Sequence, residues 1–228
     1  YGYSEETKPM LETSHGFIPW DDQHHLSLSQ TNAEVDGRWL FANANNTPRV
    51  ARIDLKTFKT VEILELPNSA GNHSSPFLTE NTEYVVAGTR FAVPMDDANG
   101  DVPIDSFKEN FKGVLSFIGI DQQTGGMDLS FQIEAPGINF DLSHAGKKKS
   151  GDWFFFSCYN SEKANTLLEV NASQNDKDFI MAVNWKKAAE LVKAGKGRKV
   201  TTEYAHNTWD ESTHSATSTM KKEVVVLS

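Results

Sequence analysis

One layout of residues occurs three times along this chain, and the repetition limits the fold more than any single motif does. Each copy has a polar or histidine-bearing opening, a turn, an aromatic-led apolar run, a second run ending in Asp or Asn, and one further element. In the first copy His24-His25 leads through Asp36-Gly37 to Arg38-Trp39-Leu40-Phe41-Ala42, then Val50-Ala51-Arg52-Ile53-Asp54, then Val61-Glu62-Ile63-Leu64. In the second, Asn72-His73 leads to Glu83-Tyr84-Val85-Val86-Ala87, then to Leu115–Asp121 and Leu129–Ile133. In the third, Asn139-Phe140-Asp141 leads to Asp152-Trp153-Phe154-Phe155-Phe156 and then Phe179–Asn184. Short runs of β-branched and aromatic residues bounded by turn residues read as strands. Asp54 and Asp121 are each followed three positions later by Thr (Thr57, Thr124), a pattern in which the carboxylate caps the turn backbone.

The spacing of the copies names the architecture. His25 and His73 lie 48 positions apart, within the roughly 40–50 residues of one four-stranded propeller blade. The expected fold is therefore all-β, an incomplete β-propeller. Blade-like repeats are expected near 22–66, 71–134 and 139–195, with 196–228 as loop and start of a next blade. Residues 94–112 carry Pro, Gly and acidic residues and read as a long surface loop. The third copy ends in a short amphipathic helix at 185–194, with Asn184 as N-cap and Gly195 as stop.

Innermost propeller strands face a central channel, so openings repeated at blade spacing converge on one axis. In a regular strand neighbouring side chains point to opposite faces. His24 and His25 therefore serve one centre only where the pleat is broken, as at a bulge or a strand start. The acidic pair Asp21-Asp22 fits such a position, and a carboxylate there can fix the tautomer of a ligating imidazole. The alternative is a pair of half-exposed surface histidines; His73 at blade spacing favours a metal. His15, His144, His206 and His214 read as solvated.

Composition excludes other classes. With 22 basic against 31 acidic residues and a net charge of -9, the chain lacks the basic footprint of a nucleic-acid binder. No apolar run approaches the roughly 20 residues that span a bilayer. The single Cys158 forms no internal disulfide and, after Trp153–Ser157 in what reads as a buried strand, is expected to be a packed thiol. Starting at Tyr1 without Met and ending on a strand-like run, the chain reads as a piece of something longer.

Three longer motifs carry a resemblance. Asp22-Gln23-His24-His25 is similar to a D-x-H-H motif, and it is joined by Gly71-Asn72-His73-Ser74-Ser75-Pro76-Phe77 with Thr79–Phe91, and by Cys158-Tyr159-Asn160-Ser161-Glu162-Lys163-Ala164. Together they resemble the N-terminal propeller domain of the nitrous oxide reductase family, in its atypical or clade II variant, over nearly the whole chain. The resemblance implies a seven-bladed propeller in a periplasmic homodimer that reduces nitrous oxide to dinitrogen and water. It implies a tetranuclear, sulfide-bridged copper cluster on the propeller axis, with His24, His25 and His73 matching three of its ligands and Asp22 and Asp141 as carboxylates around them. It also implies a structural calcium held by Tyr159, Glu162 and Asp178, with Asp176 a rival for the third place. The electron donor would be a c-type cytochrome or a cupredoxin. The remaining cluster histidines, and a C-terminal cupredoxin domain with a binuclear copper centre, would lie beyond Ser228, so this chain alone would be inactive. Competing readings are a propeller binding scaffold without catalytic metal, and a mononuclear metal hydrolase on the same histidines with Asp141 as its base.

Overall fold

The computed structural model describes residues 26–31, 34–43, 49–67, 72–89, 93–94, 111–135, 140–143, 152–158, 179–208 and 219–227. These residues are mostly strand. The first copy of the repeat folds as an antiparallel meander of four strands, β1 (Leu26–Thr31), β2 (Glu34–Asn43), β3 (Arg49–Asp54) and β4 (Lys59–Glu65). Asp36-Gly37 does not turn the chain. It lies inside β2, where the register with β1 shifts and Gly37 takes a φ of +64°, a conformation glycine adopts without penalty. The Asp36 carboxylate accepts from Ser29 Oγ and from the Arg38 N–H, and Ser29 Oγ accepts from the Trp39 N–H at 2.9 Å. The pair therefore stitches β1 to β2 across a bulge.

The second copy is also a meander. Its main strands are β5 (Asn72–Leu78), β6 (Tyr84–Thr89), β8 (Phe111–Ile120) and β9 (Met127–Ala135). The two-residue β7 (Val93–Pro94) pairs with Lys112 and Phe111, so the ends of the expected surface loop close on each other. Residues 95–110 of that loop lie outside the described residues. The third copy forms a separate three-stranded sheet, β10 (Phe140–Ser143), β11 (Trp153–Cys158) and β12 (Phe179–Asn184). Within it Trp153, Phe155 and Ile180 are exposed, against the expectation of a buried β11; the side chain of Cys158 is not described.

Helix α1 (Trp185–Lys193) follows β12 directly. The Asn184 side chain accepts from the Lys187 N–H at 2.9 Å, the expected cap, and Gly195 at φ +73° closes the other end with its N–H on the Val192 carbonyl. Trp185, Ala188 and Ala189 are buried against Phe117 and Phe131, whose rings stack at 4.4 Å, with Tyr84 meeting both edge-on. The opposite face of the second meander, with Val85, Ala87, Ile118 and Leu129, packs on Phe41, Val50 and Leu64 of the first. Both faces of β6 and β8 are thus covered. That is why their sequences run apolar without alternation.

Residues 198–208, expected to be irregular, form the strand β13 (Arg198–Thr208), which makes a hairpin with β14 (Thr219–Leu227). Lys199, Thr201 and Glu203 alternate as the outward set, while Val200, Thr202, Tyr204 and His206 are half-buried or buried. The hairpin bridges the two large meanders: β13 pairs antiparallel with β4, and β14 pairs parallel with β9. One eleven-stranded sheet results. The physical reason is edge satisfaction. β4 and β9 each end a meander with open backbone donors and acceptors, and a hairpin laid between them pairs both.

Candidate functional site

The strands that open the three copies are neighbours. β5 lies close to both β1 and β10, although these strands are far apart in sequence. His73 is the second residue of β5 and stands opposite Gly88. Directly after that pair the ladder breaks, resuming only at Phe77 and Val86, so His73 sits where the pleat is interrupted. Pro76 within the gap suits it, because proline has no N–H to give a ladder. Asp141 is the second residue of β10, opposite Ser157.

The other expected metal residues lie outside the described residues. Asp22, His24 and His25 immediately precede β1 in the chain, and Tyr159, Glu162 and Asp178, with Asp176, fall between β11 and β12. His15, His144 and His214 are also outside. Among the described residues no group of three or more His, Cys, Asp or Glu side chains is placed to hold a metal ion. The donor types fit the implied group all the same: neutral imidazoles suit copper, and carboxyl and carbonyl oxygens suit calcium.

A polar cluster that sequence reasoning missed lies between the meanders. The Glu62 side chain on β4 is 2% exposed and the Arg52 side chain on β3 9%, and Arg52 Nε donates to Glu62 at 2.8 Å. Glu62 also accepts from the Met127 N–H at 2.9 Å, and its carboxylate lies 2.6 Å from His206 Nε2. Arg52 lies over the Trp39 ring at 4.3 Å and donates to the Thr124 carbonyl at 3.2 Å. Burial alone pushes the Glu62 carboxyl up; the His206 ring, the Met127 N–H and the Arg52 charge outweigh it and hold the carboxyl below its ordinary value. His206, read as solvated, is instead half-buried, with its other ring nitrogen 3.2 Å from Met220 Sδ. The signal was present in parity. Glu62 falls between Thr60 and Leu64 on the inward side of β4, and Arg52 is its cross-strand partner.

The turn prediction holds at Asp121, whose carboxylate accepts from the Gln123 and Thr124 N–H groups and the Thr124 hydroxyl. These bonds hold its carboxyl below the usual range. At Asp54 the carboxylate accepts from the Lys56 N–H.

Antiparallel meanders packed face to face, with their opening strands side by side, define a mostly-sheet, propeller-like protein. No family model matches the chain. Over most of its length, however, it is similar to proteins named nitrous-oxide reductase. It is 32% identical to "Nitrous-oxide reductase" of Pseudomonas fluorescens over 197 residues, 86% of this chain and 29% of that protein. The enzyme of Stutzerimonas stutzeri matches at 29% identity with the same coverage, and that of Ralstonia nicotianae at 26% over 88% of this chain and 31% of its own. The chain therefore spans about three tenths of the length of these curated relatives. Two solved structures of Bacteroides proteins described as 6-phosphogluconolactonases align over 91% and 92% of the chain at 10% and 11% identity, with TM-scores of 0.42 and 0.44, a likeness too low to carry a fold or a function.

Proposed function

We propose that this chain is part of a copper enzyme that reduces nitrous oxide to dinitrogen and water. The observation that carries the reading is the adjacency of β1, β5 and β10. It brings together the strand that follows His24-His25, the strand that holds His73 and the strand that holds Asp141. Histidines spread over about fifty residues have a reason to share strand starts if they share a metal. In this reading His24, His25 and His73 ligate a tetranuclear sulfide-bridged copper cluster, and Asp22 and Asp141 orient their rings and offset the positive charge that neutral ligands leave uncancelled. When bound, the cluster supplies the two electrons that a kinetically inert linear molecule needs. The chain's own residues hold imidazoles in the right tautomer and place carboxylates beside the reaction. Tyr159, Glu162 and Asp178 form an oxygen-donor calcium site. Seven blades, a C-terminal cupredoxin domain with a binuclear copper centre, a periplasmic homodimer and an electron donor such as a c-type cytochrome complete the proposal.

The test is copper content and visible absorption of the full-length protein purified without oxygen, beside the double variant His24→Ala, His25→Ala and the single variant His73→Ala. Loss of the cluster's share of copper in both, with any cupredoxin copper kept, supports the proposal. Unchanged copper in both makes the histidines surface features and leaves a propeller used as a binding scaffold.

A further inference from the structure

We propose that Glu62 is an acid-released latch that fastens the β13–β14 hairpin across the two large meanders. The hairpin is internally strong but thinly attached. Its two strands share eight register pairs, whereas β13 meets β4 over three and β14 meets β9 over three. At the β13–β4 junction one buried carboxylate reaches three elements at once: Arg52 on β3, the Met127 N–H at the start of β9 and His206 on β13.

The ionised form is what makes the junction work. A carboxylate accepts at both oxygens, while a protonated carboxyl gives up one acceptor position and the charge that balances Arg52. The groups facing Glu62 are the Arg52 guanidinium, the His206 imidazole and the Met127 amide; Trp39 covers the far side of Arg52. One step along β13, the Tyr204 phenol is pushed up to about 12 by burial and by Asp128, and stays neutral throughout the acid range. Asp128 itself is held by Lys222 of β14 at 2.6 Å. The partners hold the Glu62 carboxyl below its ordinary value, so the sign follows. The latch is fully present above the unfolded-state value near 4.5 and is lost as pH falls through the lower folded value.

Amide hydrogen exchange, corrected for the intrinsic rate at each pH, tests this on the hairpin, with β6 and β8 as the internal reference. In the unaltered protein, hairpin protection is expected to fall about tenfold on acidification below the carboxylate range while β6 and β8 keep theirs. Glu62→Gln is expected to show the low hairpin protection already at neutral pH, with no further acid response. His206→Leu removes the ring's hydrogen bond to the carboxylate while Arg52 and the Met127 N–H remain, so its opening midpoint moves to higher pH; this arm decides the matter should Glu62→Gln fail to fold. Full neutral-pH protection in Glu62→Gln, an unmoved midpoint in His206→Leu, or simultaneous loss in hairpin and reference would each overturn the proposal.

Discussion

Replacing Arg52 with Met isolates the electrostatic part of the cluster between the meanders. Met keeps the unbranched stem that packs on Trp39, so the cavity left behind is small and the change is mainly electrostatic. What is lost is the 2.8 Å pair with Glu62, the 3.2 Å bond to the Thr124 carbonyl and the cation over the Trp39 ring. Removing one partner of a buried ion pair costs about 3–5 kcal/mol, because the other charge is left without its counterion. Glu62 retains His206 and the Met127 N–H, so the lower end, about 3 kcal/mol, is expected. Urea unfolding at neutral pH, read as a shift in midpoint at constant slope, measures it. The same comparison repeated in acid should shrink. Protonated Glu62 has no charge for Arg52 to balance, and since the folded-state value is depressed, the share of the difference owed to the ion pair disappears as pH falls through it, leaving the share of the Thr124 bond and the Trp39 contact. A loss below about 1 kcal/mol at neutral pH would place the pair in the range of solvated surface bridges and refute the reasoning.

Phe117→Ala should cost about 3–5 kcal/mol in the same unfolding experiment, because Phe117 is fully buried between Phe131 and the α1 side of the sheet. Asn184→Ala should cost about 1 kcal/mol and lower helical circular dichroism slightly, through loss of the Lys187 N–H acceptor. Gly125→Ala should destabilise by more than about 1 kcal/mol, since a Cβ there would meet the Trp39 indole at 2.5 Å on a backbone at φ +76°; a neutral result would mean that Trp39 swings aside.

The strand pattern was legible wherever aromatic and β-branched residues were bounded by turn residues. Phe41 with Val50 and Leu64, and Val86 with Phe117 and Phe131, were all marked in the sequence and are all core. The helix was legible from its caps. β13 was not, because Thr201, Thr202 and Glu203 carry no hydrophobic period and only Val200 and Tyr204 mark the inward face. Its strand character comes from the open edges of β4 and β9, a property of the assembled sheet and not of the segment. Asp36-Gly37 misled for a related reason: glycine at positive φ serves a bulge as well as a turn, and only the register of β1 on β2 decides between them.

The candidate metal site shows the opposite balance. Its chemistry was expected from Asp22-Gln23-His24-His25, where imidazoles follow an acidic residue, and from His73 one blade length further on. What residue types cannot supply is which strands lie together, and there the closeness of β5 to both β1 and β10 is the informative fact. A bulge after His73 relaxes the alternation that would otherwise aim successive side chains apart. Such an interruption is what the proposed metal site needs at the opening of the second meander. The three-stranded sheet β10–β12 bears on the same point. Its Trp153, Phe155 and Ile180 are exposed, yet its opening strand packs beside β5, which is the placement the proposed site needs.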